Sequence, residues 1–378
     1  AVACGLCLFS RGSRVFLASG AKVICITVLQ GNYEVSMAQA PSWIRCLALS
    51  DDESLLVVAT NCKQVQLYQV DTLKLISSIE ASKRVTCAVF ATDGAILYGD
   101  KSGRAYQWTS EQQRLVSELN GKEATEEQLK AITPTMMLGH CSLLTDMLYD
   151  QEKNRLLTSD QDYKIRVNSY PKFYNIEMFL LGHTEYISSM LMKGNKVVSA
   201  SGDGTARMWD LDTSNEVHMI KLPTSEESEP SSLALLCRNS EFFCSRGNAL
   251  YVLTEELTVK QELRTENHIL GACFVGDSIL LCSTLEAPYF SAFLKEESGK
   301  YISLPSNHTE QKLLQTLREA LAETDPDVIK EIVAELFQLQ KRRSEDIKQL
   351  KRISSNKRRK VEGETDATSD ETSDETKN

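Results

Sequence analysis

The chain has 378 residues, of which 42% are hydrophobic and 25% charged, with a formal net charge of −10 at pH 7. This composition is ordinary for a globular protein and excludes a uniformly basic nucleic-acid-binding chain, so any such affinity is expected in a local segment or in a partner. The eleven cysteines are scattered through apolar runs, which is typical of small core residues in a reducing compartment. No apolar run reaches the length of a membrane span, and we expect neither a transmembrane segment nor an export signal.

A repeat with a period of roughly 40 to 45 residues organises most of the chain, as the blades of a propeller do. Alternation of β-branched and aromatic residues with polar ones indicates half-buried strands. These strands end at the equivalent positions Ile26, Tyr68, Trp108, Asn168, Trp209, Leu253 and Phe293. The sequence therefore predicts an all-β fold, a seven-bladed β-propeller over residues 1–304.

Two central copies carry a further pattern. The tripeptide LGH occurs at 138–140 and again at 181–183, and the second copy precedes the dipeptide Trp209-Asp210. This order and spacing resemble the Gly-His and Trp-Asp signatures of WD repeats. The predicted propeller is therefore of the WD-repeat type.

In WD repeats a histidine, a strand serine or threonine, a turn aspartate and the tryptophan form a hydrogen-bonded tetrad inside one blade. His183, Ser199, Asp203 and Trp209 fit that tetrad. Although His, Ser and Asp also make catalytic triads, the chain has no G-x-S-x-G nucleophile elbow, and we assign the four residues a structural role. We expect no catalytic residue and no metal site.

The segment TSDQDYKIRVN at 158–168 can be laid over SASGDGTARMW at 199–209 without a gap. In this alignment Asp162 takes the place of Asp203 as the turn aspartate. The first copy has Tyr163 and Lys164 where the second has Gly204 and Thr205, and Asn168 where it has Trp209. The blade that contains this segment has exchanged its turn glycine for a bulky residue.

The longest interval between strand ends contains a polar insertion at about 109–134, which lacks strand alternation and is interpreted as a solvated loop. After residue 304 the apolar period changes to 3.6, and Leu313, Leu314, Leu317 and Leu321 lie on one face of a predicted helix. A helical extension is therefore expected over 305–356. Its second apolar stripe could pack on the propeller or dock another protein, and the sequence leaves both open.

The last part of the chain separates its charges. Residues 341–360 contain ten basic residues against two acidic ones, whereas residues 361–378 contain seven acidic residues against one lysine. We expect residues 357–378 to form a disordered tail that is basic and then acidic. The run Lys357-Arg358-Arg359-Lys360 resembles a nuclear import signal, and contact with RNA or a solvated helix end would also fit it. We expect a nuclear protein.

Several motifs in order along the chain resemble the WD-repeat, non-catalytic subunit of the eukaryotic tRNA (guanine-N7-)-methyltransferase. The most specific part is the D-x-D-x-K-I-R stretch together with the order of the other motifs. These are DKSGRAY at 100–106, LGHCSLLTD at 138–146, DQDYKIRV at 160–167, LGHTEYIS at 181–188, SGDGTARMW at 201–209 and LEAP at 285–288.

The resemblance implies a protein that is not itself an enzyme. In that family the propeller binds and stabilises a separate catalytic subunit as a heterodimer, and helps to hold tRNA for formation of 7-methylguanosine in the variable loop. The partner binds the cofactor S-adenosylmethionine, and this chain holds none. The family's salt bridge to the catalytic subunit places Arg166 at the partner surface, with Lys164 and Tyr163 beside it.

The alternative is a generic WD-repeat adaptor, such as a substrate receptor of a cullin-RING ubiquitin ligase or a chromatin scaffold. Receptors of that kind usually carry W-D-x-R after a blade strand. Here the equivalent residues are Trp209-Asp210-Leu211-Asp212, without the arginine. This difference counts against the alternative.

Overall fold

The computed structural model describes residues 6–11, 14–29, 32–119, 124–223, 235–275, 278–284, 290–305 and 311–322. Within them, 28 strands form seven antiparallel four-stranded sheets, each built from four consecutive strands. The strands of blades 1 to 3 are β1 Leu6–Arg11, β2 Arg14–Ser19, β3 Lys22–Leu29, β4 Asn32–Gln39; β5 Ile44–Leu49, β6 Leu55–Thr60, β7 Gln64–Gln69, β8 Lys74–Glu80; β9 Val85–Phe90, β10 Ile96–Asp100, β11 Arg104–Trp108 and β12 Thr135–Gly139.

Blades 4 to 7 repeat the same up-and-down order. Their strands are β13 Leu144–Asp150, β14 Arg155–Asp160, β15 Ile165–Ser169, β16 Ile176–Leu180; β17 Ile187–Lys193, β18 Lys196–Ser201, β19 Thr205–Asp210, β20 Glu216–Lys221; β21 Leu235–Arg238, β22 Glu241–Arg246, β23 Ala249–Leu253, β24 Val259–Arg264; β25 Ile269–Val275, β26 Ile279–Thr284, β27 Phe290–Lys295 and β28 Tyr301–Ser303.

Each sequence-predicted strand end lies in the third strand of its blade, so the repeat assignment and the seven-bladed propeller are confirmed. The first strands of neighbouring blades contact one another, and β1 contacts β25, which closes the ring. The described residues form seven apolar clusters, each between two adjacent blades. A single four-stranded blade leaves both faces uncovered, and its neighbours bury them.

The interpretation of the insertion as a loop is wrong, because it contains two helices, α1 (Ser110–Leu119) and α2 (Glu126–Ile132). Reciprocal hydrogen bonds cap α1, with Thr109 N–H donating to Gln112 Oε1 (2.9 Å) and Gln112 N–H to Thr109 Oγ1 (3.2 Å). The buried amide Nε2 of Gln113 donates to the carbonyl oxygens of Gly94 and Trp108 in blade 3. A threonine followed three residues later by a glutamine is typical of a helix N-terminus, so the sequence did contain a signal for α1.

The helix predicted after residue 304 is present as α3, Gln311–Ala322. Leu313, Leu314 and Leu317 are buried in the cluster between blades 7 and 1. Helix α3 therefore packs on this chain's own blades. Burial of each leucine side chain there contributes about 1.5–3 kcal/mol. The second apolar stripe, the basic run and the acidic tail lie outside the described residues. None of the described helices combines the length and apolar character of a membrane span.

Candidate functional site

The structure brings His183, Ser199, Asp203 and Trp209 together in blade 5. Nδ1 of His183 lies 3.0 Å from Oδ2 of Asp203, and Nε2 lies 2.8 Å from Oγ of Ser199. The indole Nε1 of Trp209 donates to the same Ser199 Oγ at 2.8 Å. Because a carboxylate only accepts, Nδ1 carries a proton, and the hydroxyl links the indole N–H to the imidazole.

This tetrad has the chemistry of a structural brace. Ser199 is fully buried, and its oxygen is engaged by two ring nitrogens, so a substrate has no access to a nucleophile there. Burial alone would raise the pKa of Asp203, but hydrogen bonds from His183, Thr205 and the Thr184 N–H outweigh it and hold that pKa well below its usual range. The carboxylate therefore stays charged as an acceptor.

Blade 4 contains a related network with a different aspartate. Nδ1 of His140 lies 2.9 Å from Oδ2 of Asp160, and Nε2 lies 2.8 Å from Oγ1 of Thr158. The assignment of this role to Asp162 from the gapless alignment is therefore wrong. Asp160 ends β14 and its Oδ1 accepts from the Lys164 N–H at 3.1 Å. The segment SDQD offers two aspartates, and only the geometry of the turn selects between them.

The tryptophan of the brace is replaced in blade 4 by Asn168, which is fully buried. Its amide Nδ2 donates to the carbonyl of Phe173 at 2.7 Å. Its Oδ1 accepts from Nε of Arg166 at 3.1 Å. Blade 4 therefore replaces the tryptophan of the brace with a polar side chain that orients an arginine.

Tyr163 occupies a backbone position that favours glycine. Its φ is +61°, and the equivalent residue of blade 5, Gly204, has φ +80°. A bulky side chain in this left-handed region costs about 1–3 kcal/mol and is found most often at functional sites. Tyr163 is 39% exposed, so the strained turn presents an aromatic ring to solvent. Lys164 beside it is also exposed.

We expect the Tyr163→Gly variant to be more stable than Tyr163→Ala by about 1 kcal/mol, because only the alanine keeps a Cβ in the left-handed region. Urea unfolding of the two purified variants measures this difference. The matched control is the same pair of substitutions at Tyr174, an 84% exposed residue outside the positive-φ positions. Equal stability of the glycine and alanine variants at position 163 would show that the turn is not strained.

The sequence predicted Arg166 at the partner surface. In the structure its side chain is half-buried. Its Nη1 donates to the carbonyl of Gly139 at 3.2 Å. Its Nη2 is buried and has no hydrogen-bond partner among the residues that the structure describes. Burial lowers the pKa of this guanidinium. Such a donor is costly to leave unsatisfied.

Blade 5 shows what Arg166 lacks. The equivalent Arg207 donates from Nη1 to Oε2 of Glu216 at 2.5 Å. Glu216 pairs with Trp209 across the sheet, and the residue that pairs with Asn168 in blade 4 is Ile176. Substitution of that carboxylate by an exposed isoleucine leaves Arg166 without the ion pair that its blade 5 equivalent makes.

Apolar residues that the sequence analysis missed surround Arg166. Phe179 pairs directly with Arg166 across the sheet and is 44% exposed. Leu181 follows Leu180, the partner of Ile165, and is 62% exposed. Their signal was the run IEMFLL, which places apolar residues at both buried and outward positions of an edge strand. The set Tyr163, Lys164, Arg166, Ile176, Phe179 and Leu181 is called the blade 4 patch below.

Other sequence-predicted features do not join this patch. Lys357, Arg358, Arg359 and Lys360, and the LEAP motif at 285–288, lie outside the described residues. Within the described part of the chain, no group of three or more His, Cys, Asp or Glu side chains is arranged to hold a metal ion.

Seven four-stranded blades with Gly-His and Trp-Asp spacing define the chain as a WD-repeat β-propeller. Residues 107–273 match the family model described as the tRNA methyltransferase TRM82 WD40 domain. That range contains the whole blade 4 patch, and the resemblance inferred from the sequence is confirmed.

Curated relatives agree with this match. A protein of Culex quinquefasciatus named tRNA (guanine-N(7)-)-methyltransferase non-catalytic subunit wuho is 35% identical, covering 46% of this chain and 41% of that protein. The wdr4 non-catalytic subunit of Dictyostelium discoideum is 29% identical over 46% of this chain and 39% of that protein. The Aedes aegypti wuho non-catalytic subunit is 28% identical, covering 71% of this chain and 63% of that protein. The chain spans about two fifths of the length of the first two relatives.

Among solved structures, a chain of the crystal structure of a mitotic checkpoint complex superposes with a TM-score of 0.59. It is 14% identical, and the superposition covers 75% of this chain and 86% of that one. A likeness at this identity shows the shared propeller fold alone.

Proposed function

We propose that this chain is the non-catalytic, stabilising subunit of a heterodimer that forms 7-methylguanosine in the variable loop of tRNA. The observation that carries the proposal is that the family match over residues 107–273 covers the blade 4 patch, with Tyr163 at positive φ and Nη2 of Arg166 without a hydrogen-bond partner among the described residues. Relatives that are named as non-catalytic subunits are also similar to this chain.

In this proposal the blade 4 patch is the surface for the catalytic subunit. A carboxylate of the partner would take the position that Glu216 occupies beside Arg207 in blade 5, and so give the guanidinium of Arg166 an ion pair. Arginine paired with a carboxylate in two parallel hydrogen bonds fixes orientation as well as energy. Phe179 and Leu181 would bury apolar area around this pair, which excludes water from it.

The proposal gives the chemistry to the partner. S-adenosylmethionine would bind to the catalytic subunit, and this chain would contribute a rigid platform. The two histidine networks support that division, because each is buried and saturated by bonds inside its own blade. We further propose that the protein acts in the nucleus, with Lys357 to Lys360 as its import signal. Localisation of a variant with alanines at those positions tests that part.

Reconstitution tests the proposed function. The full chain alone, with S-adenosylmethionine and unmodified tRNA, should transfer no methyl group. Co-expressed with the tRNA (guanine-N7-)-methyltransferase of the same organism, it should co-purify with that enzyme and raise methyl transfer above the level of the enzyme alone. A chain that transfers methyl groups by itself, or that fails to co-purify, would contradict the proposal.

A further inference from the structure

One end of the propeller differs in charge from the other. In every blade the strands run up and down in order, so the turn between the second and third strands and the connection to the next blade lie at the same end. This end is called the b–c face below. The remaining turns, between first and second and between third and fourth strands, lie at the opposite end.

Six basic side chains of blades 2 and 3 lie on the b–c face or in the strand ends beside it. Most acidic turn residues of blades 2 and 3 lie at the opposite end, in Asp51–Glu53, Asp71 and Asp93. Two acidic residues of these blades, Glu80 and the buried Asp100, lie on the b–c face. The basic residues are Arg45, Lys63, Lys83, Arg84, Lys101 and Arg104.

Two of these side chains converge on a single neutral oxygen. Oδ1 of Asn61 accepts from Nη2 of Arg45 at 2.8 Å and from Nη1 of Arg84 at 3.1 Å. Arg45 is the second residue of β5 in blade 2 and Arg84 directly precedes β9 of blade 3, so the oxygen holds two guanidinium groups of neighbouring blades side by side. Planar guanidinium groups that point to one place suit the oxygens of a phosphate.

Backbone contacts gather further basic residues around this pair. The N–H of Lys101 donates to the carbonyl of Arg84 at 3.0 Å, and the N–H of Ala81 donates to the carbonyl of Lys63 at 2.8 Å. Lys83 lies next to Arg84 in the chain and is exposed, as is Lys101. The two blades therefore present one continuous basic cluster.

Some of these charges have no counter-ion in the described part of the chain. There, no carboxylate lies within ion-pair distance of Lys63, Lys83 or Lys101. At the opposite end some lysines have such a partner, since Lys193 pairs with Glu255 at 2.6 Å and Lys153 pairs with Asp212. In a chain whose net charge is −10, this cluster is a local exception.

The cluster also has an aromatic neighbour and reaches the blade 4 patch. The N–H of Asn61 donates to the carbonyl of Trp43, a half-buried residue of the connection that leads into β5. On the other side, the N–H of His140 donates to the carbonyl of Gly103, and the N–H of Asp162 donates to Ser142 Oγ at 3.3 Å. These contacts connect the basic turn of blade 3 to the turn that carries Lys164.

We propose that the b–c face of blades 2 and 3 binds the phosphate backbone of RNA. Convergent guanidinium groups, lysines without a counter-ion and an adjacent indole are the groups that recognise RNA phosphates and unstacked bases. This proposal rests on the proposed function, since the RNA would be the tRNA presented to a catalytic subunit on blade 4. It places RNA contact on the propeller itself, in addition to the basic run near the end of the chain.

Charge reversal tests the face. The full-length Lys63→Glu/Lys83→Glu/Lys101→Glu variant should bind an unmodified tRNA transcript about tenfold or more weakly in fluorescence anisotropy at about 0.1 M salt. The slope of the logarithm of affinity against the logarithm of salt concentration should fall by about two to three, since each lysine–phosphate contact contributes about 0.7–0.9. The matched control is Lys74→Glu/Lys196→Glu/Lys300→Glu, with three exposed lysines of the opposite end.

Three outcomes would overturn the proposal. The b–c face variant could bind tRNA as the unchanged protein does, or both triple variants could lose affinity equally, which would indicate an effect of net charge. Or all affinity could disappear when Lys357 to Lys360 are replaced by alanine while the b–c face variant is unaffected.

Co-purification with the methyltransferase is measured on the same variants. If the b–c face variant loses the enzyme instead of tRNA, the face is a protein interface and the RNA proposal fails. If the unchanged protein binds tRNA but no methyltransferase, the proposed function fails while the RNA-binding face stands.

Discussion

The Arg166→Glu variant should no longer co-purify with the catalytic methyltransferase subunit. Removing one member of a desolvated arginine–carboxylate pair costs about 2–5 kcal/mol, which corresponds to a loss of about 30-fold or more in affinity. Reversal of the charge would add repulsion from the carboxylate that we propose on the partner. The propeller itself should stay folded, because Arg166 is half-buried and lies outside the seven apolar clusters. Pull-down from co-expressing cells and circular dichroism measure the two effects.

A second substitution tests the same site without changing Arg166. Ile176→Glu places a carboxylate where blade 5 has Glu216, so Arg166 gains an ion pair inside its own blade. The methyltransferase should then bind more weakly although the arginine is intact. Val217→Glu is the control, because Val217 is similarly exposed on the outer strand of blade 5 at 40%. If the Arg166→Glu variant binds the methyltransferase as tightly as the unchanged protein and unfolds with the same stability, the partner surface lies elsewhere.

The Trp209→Ala variant should lose about 3–5 kcal/mol of unfolding free energy, as large-to-small substitutions in a core do. Trp209 is 2% exposed and packs in the cluster between blades 4 and 5. The substitution leaves a cavity there and removes a donor from Ser199 Oγ. Urea unfolding followed by circular dichroism measures the loss. A change below about 1 kcal/mol would mean that the brace does not hold the blade.

Trp108 supplies the matched control for the hydrogen bond in that brace. It is the equivalent residue of blade 3 and is fully buried, but its Nε1 has no hydrogen-bond partner among the described residues. Trp209→Phe should therefore cost about 1 kcal/mol more than Trp108→Phe, because only the first loses a hydrogen bond. Equal costs would assign the effect of Trp209 to packing alone.

Periodicity explains why the fold was accessible from sequence. Residues that face a neighbouring blade must be apolar at every repeat, so positions such as Trp108 and Leu253 recur at even spacing and can be counted. The same reasoning located α3, since Leu313 and Leu317 lie one turn apart on a buried face. The polar composition of the insertion suggested a loop, although Thr109 and Gln112 have the spacing of a helix capping box.

The candidate site was accessible only in part. The exchange of glycine for Tyr163 and of tryptophan for Asn168 marked blade 4 as unusual, and Arg166 was named from the resemblance. The choice of Asp160 over Asp162 depends on a turn geometry that two similar aspartates do not reveal.

The sequence by itself determined the seven blades, the tetrad and the helix after the propeller, because each follows from local periodicity or from spacing inside one repeat. Only the tertiary structure decided that Arg166 is half-buried with one nitrogen unsatisfied, and that Ile176 stands where the next blade has Glu216. It alone showed that Arg45 and Arg84 meet at Asn61. These features join residues of different strands or blades, and their distances are set by how the sheets pack around the ring.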